Sequence, residues 1–180
     1  MSFKPALLAL AAAAAMATPA HAAIFTYTGD TTGGPTFTRP LEDLSGLSAV
    51  GVGVRYSVFS FTVSAPGDYT FLTTGGFDTF GILYQTTFNP AAALSNALVA
   101  NDDLVAPPFT TSGFAETLAT GTLYHYVVTG FAPTDFGGYS TTIGGPGVVT
   151  QVPELQIYLM MALGLGALGA VRRRQLAAAA

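Results

Sequence analysis

Between residues 24 and 143 the chain repeats one motif: a short run of alternating aromatic or β-branched residues, then a glycine- or proline-rich break. Phe59, Phe61 and Val63 alternate with Ser60 and Thr62, and Pro66-Gly67-Asp68 follows with turn chemistry. A period of two puts alternate side chains on opposite faces of a strand, and breaks at this spacing leave no room for long helices. Strands are expected at Ile24–Thr28, Val50–Val63, Tyr69–Thr73, Phe80–Gln85, Ala115–Leu118, Leu123–Thr129 and Tyr139–Ile143. Tyr69–Thr73 reads as the hairpin partner of the strand before it, and Thr36–Gly46 as irregular. Asn89-Pro90 opens the one helix candidate, Pro90–Ala97, and a loop with a single helical turn fits the same residues. Leu123–Thr129 is largely apolar on both faces, as expected of a central strand packed on both sides or of a strand with aromatic rings on its outer face. Seven or eight short strands predict an all-β, jelly-roll-like antiparallel β-sandwich over residues 23–147. With no cysteine, that domain must stand on its apolar core alone.

The two ends have a different character. Lys4, an apolar run from Ala6 to Met16 and then Ala20-His21-Ala22 make a secretory signal peptide over residues 1–22, with cleavage between Ala22 and Ala23. At the other end, 17 residues from Leu155 to Val171 carry no ionised side chain, and Arg172, Arg173 and Arg174 follow at once. That length is the short end of what spans a bilayer as a helix. Glycines 164, 166 and 169 suit close helix packing in lipid. The arginines keep residues 172–180 cytoplasmic, so the domain lies outside the cytoplasm. Residues 148–154 read as a short extended linker carrying Pro153-Glu154.

Proline-glutamate, an apolar helix and an arginine cluster, in that order, resemble the PEP-CTERM sorting signal of Gram-negative bacteria, with Leu155 in place of the second proline. The resemblance covers about the last thirty residues. It implies export through the inner membrane, membrane anchoring, and processing by an exosortase. It also implies a final place at the cell surface or in the extracellular polysaccharide matrix of biofilms.

Charge narrows the function classes. Residues 23–151 hold only Arg39 and Arg55 as cations against nine carboxylates. Two minus nine leaves about −7, which excludes nucleic acid as a partner. Catalytic constellations are missing: no Gly-x-Ser-x-Gly elbow, no cysteine nucleophile, and too few histidines for zinc. His125 is the one histidine of the domain and reads as a packed or solvent-facing strand residue. Asp102 with Glu116 has no spacing that selects glycoside hydrolysis. A non-enzymatic role is therefore expected. Aromatic residues, Tyr124 and Tyr126 among them, can stack on sugar rings, and the same residues equally serve as sandwich core.

Several pieces stand in a recognisable order: Phe59-Ser60-Phe61-Thr62-Val63, Gly67-Asp68-Tyr69-Thr70-Phe71, Phe77-Asp78-Thr79 with Leu83-Tyr84, Asn101-Asp102, Gly121 through Tyr126, and Gly138-Tyr139. Over about Val54–Ile143 they resemble the bacterial pre-peptidase C-terminal domain. That resemblance implies a jelly-roll-like sandwich used for adhesion or substrate binding, some members with calcium. Calcium takes six to eight oxygen ligands. Asp78, Asn101, Asp102 and Asp103 can supply several if their two loops meet. The alternative is that Asn101-Asp102-Asp103 shapes a turn and Asp78 bonds backbone amides beside Gly76.

Overall fold

The computed structural model describes residues 22–153. Ten strands follow in order: β1 Ala23–Asp30, β2 Thr36–Pro40, β3 Leu47–Val63, β4 Gly67–Gly75, β5 Thr79–Gln85, β6 Ala97–Asn101, β7 Thr111–Leu118, β8 Tyr124–Gly130, β9 Gly138–Gly145 and β10 Val149–Gln151. They form two antiparallel sheets, one ordered β1-β9-β4-β7, the other β10-β3-β8-β5-β6 with β2 also paired to β3. The described residues form an all-β sandwich.

Its core follows from the period of two. Phe59, Phe61 and Val63 of β3 and Tyr124, Tyr126 and Val128 of β8 point inward. Tyr69 and Phe71 of β4, Tyr139 and Ile143 of β9, and Leu118 of β7 face them from the smaller sheet. Each fully buried apolar side chain of this size stabilises the fold by roughly 1.5–3 kcal/mol. Thr73 Oγ1 lies 2.8 Å from both the Tyr126 hydroxyl and Thr141 Oγ1, so these three buried hydroxyls satisfy one another.

The outer face of the larger sheet is also covered. Phe37, Val54, Phe80, Ile82, Tyr84, Ala93, Ala100 and Val127 make a second apolar cluster there. This explains why β8 is apolar on both faces: it lies between β3 and β5, with Val127 outward.

Three expectations need correction, and one open choice is decided. Tyr69–Thr73 is no hairpin partner of β3: β4 pairs β7 and β9 in the other sheet, so the Pro66 turn carries the chain across the sandwich. Thr36–Pro40 is strand β2, not irregular. Its register against β3 slips by one residue at Gly53, whose φ of +74° suits a bulge and favours glycine. Of the two readings open for Pro90–Ala97, the loop with a single helical turn is the one found: a 3-10 turn at Pro90–Ala92, capped by the Asn89 side chain accepting from the Ala91 N–H at 3.0 Å, with β6 beginning at Ala97. Finally, the linker of residues 148–154 contains β10, so the sandwich runs past residue 147.

The signal peptide, apart from Ala22, and the apolar segment 155–171 lie outside the described residues, as do Glu154 and Arg172–Arg174. Among the described residues no helix is long and apolar enough to cross a membrane. Ala22 precedes β1 directly, and Ala23 is its first residue.

Candidate metal centre

The β5–β6 register assembles the acidic site. Gly81 pairs with Asn101 in antiparallel fashion, so the residues after β6 run alongside the start of β5. Asp102 and Asp103 are thereby brought beside Asp78, which immediately precedes Thr79. The backbone carbonyl of Asp78 accepts from the Phe131 N–H at 3.1 Å, fixing the turn from β4 into β5. One carboxylate oxygen from each of Asp78, Asp102 and Asp103 lies within 4.8 Å of the others. Two ligands on one calcium ion at about 2.4 Å each can be at most about 4.8 Å apart, so this spread is compatible with a shared ion.

Each of these carboxylates also has an oxygen without a partner. Oδ1 of Asp78, of Asp102 and of Asp103 is shielded from solvent and makes no hydrogen bond among the described residues. Buried acceptors are normally satisfied, and three unsatisfied ones on carboxylates gathered this closely need an explanation. The alternative that Asp78 bonds nearby amides is not met at its Oδ1.

Asn101 does not join them. Its amide nitrogen donates to Glu42 Oε1 at 2.8 Å, and its Oδ1 accepts from the Gly113 N–H at 2.8 Å. It ties β6 to β7 and to the segment after β2, which makes it a brace behind the site rather than a ligand.

The electrostatics match the geometry. Desolvation, then the charges of Asp103 and Asp135, push the Asp78 carboxyl up to about 6, against the pull of Arg39. Desolvation, then Asp103 and Asp78, push Asp102 up to about 7. Asp103 is raised by desolvation and then by Glu42. Like charges crowd here and a proton or a cation is needed to relieve them.

Sequence reasoning missed Arg39. It is buried, its guanidinium 4.0 Å above the Phe80 ring and 4.8 Å from that of Phe131. Nε donates to the Phe131 carbonyl at 3.1 Å and an Nη to the Pro40 carbonyl at 3.0 Å. Burial lowers its pKa, while Asp102, Asp78 and Glu42 oppose that. The available signal was its rarity, one of two cations in an acidic domain. Three ionised aspartates against one arginine leave about two negative charges, the charge of one divalent cation. An all-oxygen carboxylate set suits calcium or magnesium and not zinc or copper. The residues present therefore fit such an ion, with remaining ligands to come from carbonyls or water.

Two other candidates resolve differently. Tyr124 and Tyr126 are 3% and 0% exposed, so neither can stack on a sugar. His125 Nδ1 lies 2.9 Å from Ser60 Oγ, directly across the β3–β8 ladder, and its Nε2 lies 3.3 Å from the Thr86 carbonyl. It is half-buried as a cross-strand polar pair.

No family model and no curated protein matches the chain. Among solved structures it is similar to PliG of Aeromonas hydrophila, a periplasmic inhibitor of g-type lysozyme, at 11% identity over 73% of this chain and 89% of that one, with a TM-score of 0.40. It is likewise similar to the pre-peptidase C-terminal domain of a collagenase from Bacillus anthracis, at 13% identity over 66% of this chain and 87% of that one, again with a TM-score of 0.40.

Proposed function

We propose that this chain is a non-enzymatic exported protein whose jelly-roll-like sandwich, of pre-peptidase C-terminal type, binds one calcium ion. Asp78, Asp102 and Asp103 are its ligands, and the ion locks the β4–β5 turn to the end of β6. The observation that carries this reading is the convergence of three carboxylates, each with a buried, unpartnered oxygen. Calorimetric titration of calcium into the protein at pH 8 should give one site per chain. Asp102→Asn should weaken it at least tenfold, since a charged ligand becomes neutral. Absence of heat with the intact protein, or an unchanged affinity in Asp102→Asn, would refute the site.

The tail supplies the location. Pro153-Glu154, the apolar segment 155–171 and Arg172–Arg174 support delivery through the inner membrane of a Gram-negative cell. Anchoring, recognition by an exosortase and release to the cell surface or polysaccharide matrix follow in this reading. The C-terminal mass of the protein recovered from its host is the test. The expected product ends near Pro153 or Glu154 and is found outside the cell. An intact tail confined to the membrane fraction would reduce the signal to an anchor, and the protein to a membrane-held calcium-binding adhesion module.

A further inference from the structure

Directly after the aspartates the chain changes character. Asp103 is followed by Leu104, Val105, Ala106, Pro107, Pro108 and Phe109, six exposed residues without one polar side chain. Leu104, Val105 and Phe109 are 53%, 57% and 50% exposed. An exposed apolar run of this length is unfavourable in water and marks a contact surface. Its feet are fastened. The Leu104 N–H donates to the Thr111 carbonyl at 2.8 Å, and the Thr110 carbonyl accepts from the Gly75 N–H at 3.0 Å. The loop is thus closed at its base and tied to the end of β4, with 105–109 as its exposed tip. The same end of the sandwich carries more apolar surface. The Glu42–Asn101 hydrogen bond holds the β2–β3 turn to the end of β6, and that turn adds exposed Leu41 and Leu47.

Charge says what this surface can meet. Glu42, Asp78, Asp102 and Asp103 surround the base of the loop, and the buried Arg39 is the one cation that acts on them. Without metal such a surface repels an anionic bilayer. One calcium ion on the three aspartates cancels the excess. Three carboxylates do not exhaust its six to eight oxygen positions, so it can still accept oxygens from outside the protein. Phospholipids offer phosphate oxygens next to hydrocarbon, the same two chemistries that lie side by side here. The loop backbone suits hydrocarbon too. Pro107 and Pro108 have no N–H, and that of Leu104 is already bonded, so few donors would be stranded out of water.

We propose that the Leu104–Phe109 loop is a calcium-dependent docking element for an anionic phospholipid bilayer. Its apolar tip enters the membrane surface, while the ion held by Asp78, Asp102 and Asp103 takes headgroup phosphate oxygens. The docking rests on the calcium site proposed above and gives that site a partner. Apolar burial and the ion each supply part of the affinity, as in other interfacial contacts that combine buried apolar area with attraction to anionic lipid. Neither part suffices alone: the carboxylates oppose docking without calcium, and a neutral lipid surface gives the ion no net charge to meet.

Flotation tests it. The full-length chain, held in phosphatidylcholine nanodiscs, is mixed with large vesicles of phosphatidylcholine, with or without phosphatidylglycerol, in calcium or in chelator. Co-flotation is expected only where phosphatidylglycerol and calcium are both present. Val105→Ser combined with Phe109→Ser removes apolar area and keeps every carboxylate. It should lower the ratio of bound to free protein about tenfold or more and leave the calorimetric calcium titration unchanged. Asp102→Asn should weaken both. Calcium heat without flotation overturns the docking and leaves the calcium site standing. Absence of calcium heat removes the site, and the docking with it. Equal flotation of the double serine variant overturns the part given to the loop, since calcium then bridges carboxylate to phosphate unaided. Nanodiscs that pair with one another in calcium, without vesicles, show that a second copy covers the loop and overturn the lipid.

Discussion

Calcium at a hundredfold excess over its Kd raises the melting temperature of this protein at pH 8 by about 10 °C, and the rise disappears by pH 5. The first magnitude follows from mass action, which gives about 2.7 kcal/mol at that excess, and from the few degrees per kcal/mol expected of a domain this size. The pH limit follows from the carboxylates. Unfolded aspartates ionise near 4. In the folded protein Asp78 ionises near about 6 and Asp102 near about 7. Between those limits the metal-free fold holds more protons than the unfolded chain. The stability these two groups contribute is therefore full below about pH 4 and is lost as pH rises through about 7, above which both have ionised and repel. Calcium needs the ionised forms, so it acts where the metal-free protein is weakest. Thermal melts from pH 4 to 8, with calcium and with chelator, should give two curves that meet at the acid end and diverge above pH 6. Parallel curves, or a metal-free protein that gains stability from pH 4 to 7, would contradict the assignment.

Arg39→Met destabilises the metal-free protein by about 2–3 kcal/mol, less than the roughly 3–5 kcal/mol of a fully buried broken pair, because the carboxylates can take up protons. Methionine keeps most of the packing over Phe80 and Phe131 but loses both bonds to backbone carbonyls and the positive charge beside Asp78 and Asp102. Without that charge the carboxyls move further up, and the calcium-free curve falls most at pH 8. Calcium then restores more stability to the variant than to the parent, since it supplies the missing positive charge. Urea melts with and without calcium measure both effects. A variant within about 0.5 kcal/mol of the parent at pH 8 would mean that Arg39 packs but does not balance the site.

Much of the sandwich was legible because its inward residues keep a strict period. Phe59, Phe61, Val63, Tyr124, Tyr126 and Val128 are apolar, alternate, and all are buried. The double-sided apolarity of β8 was legible too, although it fitted a central strand and a strand with aromatic rings on its outer face alike. β2 was missed because Arg39 and Pro40 break the apolar pattern, yet Arg39 is buried by lying between two aromatic rings, which no period records. At Pro90 a helix and a single turn could not be told apart for a related reason. Ala-rich sequence favours helix locally, but Ala97–Asn101 gains more as an edge strand on β5, with Ala100 buried.

The candidate site divides along the same line. Oxygen ligand chemistry could be read from Asp78 and Asn101-Asp102-Asp103, because residue type sets what a side chain can hold. Which of the four point together could not, since Asn101 is turned to Glu42 and Gly113 by the pairing of β6 and the approach of β7.

By itself the sequence determined the β class, the apolar faces and the excess of carboxylates, all of which are properties of residue type and local period. Only the tertiary structure decided that Tyr69–Thr73 crosses to the second sheet rather than folding back on β3. A hairpin and a sandwich crossover bury the same alternating residues, and what separates them is which distant strand supplies the facing half of the core. The same long-range pairing, Gly81 against Asn101, put three aspartates at one point, a meeting that no spacing along the chain encodes.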